Sequence, residues 1–79
     1  MNTLKATITA YDEIRTHDGS ASTLGGRAQE LPRGYAIDRI LSTDKGEDGT
    51  VSFFVQCLDP VKETGYVWGW VAMEDVAIG

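Results

Sequence analysis

Tyr66-Val67-Trp68-Gly69-Trp70-Val71 sets Tyr66, Trp68 and Trp70 at even positions and Val67 and Val71 at odd ones. A period of two belongs to a β-strand, whose successive side chains leave opposite faces. The strand therefore turns its valines one way and its rings the other. Upstream, Val51, Phe53, Val55 and Cys57 alternate with Ser52, Phe54, Gln56 and Leu58. β-Branched and aromatic residues dominate that stretch, which favours strand over helix. The first set is expected to face inward, with Cys57 buried and unreactive.

Outward from these two strands the chain alternates with turns. Leu4, Ala6, Ile8 and Ala10 alternate with Thr3, Lys5, Thr7 and Thr9, giving a first strand. Residues 16–23 carry turn formers without apolar periodicity, so a long surface loop is expected there, extended by Gly25-Gly26. Leu24, Ala28 and Leu31 are available to anchor its return. Leu31-Pro32-Arg33-Gly34 reads as a turn. A strand over 35–41 follows; Ala36, Ile37, Ile40 and Leu41 cannot all share one face, so a bulge or bend is expected.

Residues 42–50 read as an acidic hairpin tip, and Asp59-Pro60 through Gly65 as a loop. Ala72-Met73-Glu74-Asp75 reads as one helical turn and Val76-Ala77-Ile78 as a closing strand. About five short strands in one 79-residue domain predict an all-β fold, closed or nearly closed into a barrel. Closure would also remove exposed strand edges.

Charge narrows the partners. Seven Lys and Arg against twelve Asp and Glu give a formal charge of −5, and the cations are scattered. Nucleic-acid binding needs clustered cations and is disfavoured, as is an anionic membrane surface. No apolar run reaches the roughly 20 residues of a spanning helix. One cysteine excludes an internal disulfide, and one His with one Cys falls short of a zinc site. The run from Asp44 to Gly49 fails as a calcium loop, because its third and twelfth positions are Gly46 and Val55. No nucleophile stands with a base, so neither catalysis nor a cofactor is expected.

The alternating first strand, Ile14-Arg15, a polar loop, Leu31-Pro32-Arg33-Gly34, a strand to Leu41 and Gly69-Trp70-Val71 come in a familiar order. This arrangement resembles the bacterial SH3-like (SH3b) domains. It departs from them at Glu13, at Ser52-Phe53-Phe54 and in the longer loop from Asp59 to Gly65. The resemblance implies a small SH3-like barrel without catalysis, binding a peptide or a peptidoglycan-type cell-wall ligand.

The expected ligand-binding residues are the rings Tyr66, Trp68 and Trp70, outside the barrel, with Tyr11, Arg15, His17 and Asp18 bordering the first long loop and Tyr35 helping to orient the ligand. Aromatic rings suit the task because they offer rigid contact area with a polar handle. Arg15 has a structural alternative, an ion pair with Asp12 or Glu13. The rival function is a free-standing cytosolic protein, phage-encoded for instance, that binds and blocks another protein. A complete chain would be cytoplasmic; a domain cut from a longer protein would sit at the cell wall or outside the cell.

Overall fold

A computed structural model describes residues 1–15 and 23–79. Among the described residues seven strands form: β1 (Thr3–Leu4), β2 (Ile8–Ile14), β3 (Leu24–Leu31), β4 (Arg39–Lys45), β5 (Val51–Leu58), β6 (Tyr66–Ala72) and β7 (Val76–Ala77). A 3-10 turn, Met73–Asp75, separates β6 from β7. The fold is all-β. Five strands make one antiparallel sheet in the order β3-β2-β6-β5-β4, and β1 pairs with β7 in a second.

The core lies on one face of the large sheet. Ala10, Val55, Cys57, Val67 and Val71 meet Leu4, Leu31, Ile37 and Val76 there, with Ile8, Tyr35, Ile40 and Phe53 packed against the cluster. The alternation of β5 and β6 thus faces inward as their sequences predict. The small sheet is held by backbone bonds: Leu4 N–H donates to Tyr35 O, Gly34 N–H to Leu4 O and Ile37 N–H to Asn2 O. β2 passes close to β6 at Gly69; a Cβ there would lie 2.9 Å from the Thr9 carbonyl oxygen.

Five expectations are corrected. Among the described residues no ladder joins β3 to β4, so the closed barrel is not found; both are edges of the large sheet. The segment linking them bonds instead to β1 and the residue before it, through Gly34, Tyr35 and Ile37, and to Gln56 of β5 through Asp38. The first strand is two, since the chain bends at Lys5-Ala6 and sends Leu4 to the small sheet. Residues 39–45 form β4, which shortens the hairpin tip to the turn after Lys45 and leaves 35–38 outside it.

Gly25-Gly26 is not loop but part of β3, opposite β2. The ladder shifts register between Tyr11 and Glu13, and Gly26 takes φ +77° at that bulge. A Cβ on Gly26 would fall 2.1 Å from Asp12 Oδ1 and 2.8 Å from Glu13 Cβ. The bulge expected from the apolar spacing near Leu41 is present: the β4–β5 register shifts between Ile40 and Ser42, leaving Leu41 exposed and Ile40 against the core.

Candidate functional site

The face of the large sheet away from the core is where the rings collect. Cross-strand partners share a face. Leu58 stands opposite Tyr66, Gln56 opposite Trp68, Phe54 opposite Trp70 and Ser52 opposite Ala72. On the other flank of β6, Tyr11 of β2 pairs with Trp68. Tyr11, Tyr66, Trp68 and Trp70 therefore lie on one outer face, as do Phe54 and Leu58. Tyr66 and Leu58 are exposed, 41% and 50%, while Tyr11, Trp68 and Trp70 are half-buried.

Phe54, placed by its alternation on the polar side of β5, is only 2% exposed although it is on the outer face. The Trp70 ring lies against it, centroids 5.1 Å apart and planes tilted by 45°. Tilted aromatic pairs of this spacing are attractive. One of the predicted binding rings thus also covers an apolar neighbour.

A polar chain borders the rings. Trp68 Nε1–H donates to Gln56 Oε1 at 3.1 Å, and Gln56 Nε2–H donates to Asp38 Oδ2 at 2.9 Å. Asp38 in turn lies 3.8 Å from the Arg39 guanidinium. The second hydrogen bond fixes the Gln56 amide, which fixes the indole N–H. Gln56 is the contributor that sequence reasoning missed; its place at an outward position of β5 was the available signal.

At the far end of this face, Ser52 and Ala72 line a cleft of about 220 Å³ together with Gly49, Thr50, Val51, Met73 and Glu74. Small side chains follow Phe54 and Trp70 on both strands, so the surface dips there. Met73 and Glu74 belong to the 3-10 turn, which thus contributes to the lining.

The other predicted residues lie elsewhere. Tyr35 packs against the core and its hydroxyl donates to the Leu58 carbonyl at 2.7 Å. Burial, with Cys57 and Asp59 nearby, pushes its phenol up from the ordinary value. Arg15 follows β2 and lies 3.7 Å from Glu13, both well exposed, with its side chain over Gly25. His17 and Asp18 fall outside the described residues.

Cys57 is fully buried, and burial pushes its thiol up to about 11. Asp59 is the buried carboxylate among the described residues. It accepts bonds from Gln29 Nε2 at 2.8 Å, Arg27 at 3.0 Å, and the backbone N–H of Val61 and Lys62. Burial alone would raise it, but these donors and the guanidinium hold it at about 2. It ties β3 to the loop before β6 and has a structural role. Among the described residues no three His, Cys, Asp or Glu side chains cluster to hold a metal.

No family model matches this chain, and no curated protein or solved structure matches it. The site rests on its own geometry. No helix among the described residues is long and apolar enough to cross a membrane.

Proposed function

We propose that this chain is a non-catalytic binding module of the bacterial SH3 type, and that it takes a peptide or a peptide-bearing cell-wall glycan across its outer sheet face. The observation that carries the reading is the convergence of Tyr11, Tyr66, Trp68 and Trp70 on that face. Ring area supplies affinity, and the Gln56–Asp38–Arg39 chain beside Trp68 supplies polar groups that orient a ligand. A shallow face buries little area and association has its own entropic cost, so binding is modest.

Co-sedimentation with washed peptidoglycan sacculi tests this reading. The wild-type chain is expected in the pellet, and Tyr66→Ala and Trp68→Ala in the supernatant with unchanged circular dichroism. Retention of both variants on sacculi would refute the aromatic face as the binding surface. The rival reading, a protein that blocks another protein, draws support from β3 and β4, which among the described residues each have a single neighbour in the large sheet and so offer backbone groups for strand pairing. No binding to sacculi, with one stoichiometric partner retained on the immobilised chain, would favour it.

A further inference from the structure

The aromatic row does not end on flat surface. Along β6 the outward positions run Tyr66, Trp68, Trp70, Ala72, and along β5 they run Leu58, Gln56, Phe54, Ser52. Ser52 and Ala72, the last cross-strand pair, line the 220 Å³ cleft together with Met73 and Glu74. Its lining residues include one acid, Glu74, two hydroxyl residues, Thr50 and Ser52, and the exposed Met73; the Thr50 hydroxyl donates to Asp48 Oδ1 at 2.7 Å. Among the described residues Glu74 makes no ion pair, in contrast to Glu13 and Asp38. Among the described residues no Lys, Arg or His lines the cleft.

Among the described residues the unpaired charges elsewhere on the outer face are negative too. By the register, Glu30 and Asp44 lie on it, with the Glu13–Arg15 and Asp38–Arg39 pairs each self-compensated. The whole chain carries −5. A long side chain with a cationic tip suits this surface: its methylenes would lie on Ala72 and Met73, and its charge would meet Glu74 near Ser52. Rings next to the path attract the same charge through their faces.

Resting on the reading of the outer face as a ligand surface, we infer that the ligand is a basic peptide, with one Lys or Arg side chain seated in the Ser52–Ala72–Glu74 cleft and its neighbours laid along the aromatic row. The −5 charge steers such a ligand in, and the cleft sets its register.

The test uses alanine-based peptides whose central residue is Arg, Lys, citrulline or norleucine, titrated into the full chain at low salt. Tryptophan emission and backbone amide shifts are the readouts. The Arg and Lys peptides are expected to bind about tenfold tighter than their neutral counterparts and to move the Ser52, Ala72 and Glu74 amides. Glu74→Gln, at an exposed position, is expected to keep the fold and erase most of that preference. Equal binding of charged and neutral peptides through the aromatic row would overturn the basic-ligand inference and leave the binding face standing. A preference for charge that survives Glu74→Gln would overturn the cleft as its seat. No perturbation by any peptide, together with no binding to sacculi, would overturn both.

Discussion

Phe54 and Trp70 sit on neighbouring strands with ring centroids 5.1 Å apart, on the side of the sheet that faces away from the core. The contact makes Trp70 part support and part surface. Phe54→Ala is expected to cost about 3 kcal/mol, the scale of losing a buried phenyl ring. Urea denaturation measures it, and a loss below about 1 kcal/mol would mean that the outer face contributes little to folding.

The bulge at Gly26 calls for a residue without a side chain. Gly26→Ala combines a strained positive φ with a Cβ placed 2.1 Å from Asp12 Oδ1. Asp12 also accepts the Arg27 backbone N–H at 2.7 Å, so pushing its carboxylate aside breaks a bond at the same bulge. A destabilisation of about 2 kcal/mol is expected from these effects together. A thermal midpoint equal to that of the wild type would show that β3 is not held in this register.

Asp59 gives the fold an acid sensitivity whose sign follows from its depressed value. Its carboxyl titrates at about 2 when folded and near 3.8 when free. Its stabilising contribution is therefore complete above about pH 4 and is lost as pH falls toward 2. Asp59→Asn should lower stability at pH 6 and flatten the decline between pH 4 and 2. Urea midpoints across that range decide it: a decline as steep in the variant as in the wild type would assign the acid sensitivity to other carboxylates.

Cys57 has no surface and a thiol raised to about 11. Both features suppress thiolate chemistry in the native state. At pH 8 a water-soluble disulfide reagent should label the folded chain at least about a hundredfold more slowly than the unfolded chain, because reaction waits on opening. Comparable rates would place the thiol within reach of solvent.

Much of this molecule can be read from its sequence, and the parts that cannot have identifiable causes. The alternation of Val51–Leu58 and Tyr66–Ala72 matches β5 and β6 because each strand has one apolar core face. β3 escapes such a reading. Its inward positions include Gln29 and Arg27, which are satisfied by the Asp59 carboxylate instead of by hydrocarbon. Its bulge falls at Gly26 and Arg27, beside a glycine pair that by composition reads as loop. Phe54 escapes for a related reason: an outward phenylalanine reads as exposed until Trp70, sixteen positions on in the chain, is known to cover it.

Side-chain period, charge and cysteine count by themselves determined an all-β chain with inward valines, a buried thiol and an acidic surface. These are local or summed properties, settled by chemistry within a few residues. Only the tertiary structure decided that β3 and β4 are not joined by a ladder among the described residues, that Tyr11 joins the rings of β6, and that Ser52, Ala72 and Glu74 meet in one cleft. Each of those depends on which strands lie side by side and in what register, and pairing between distant segments leaves no period in either of them.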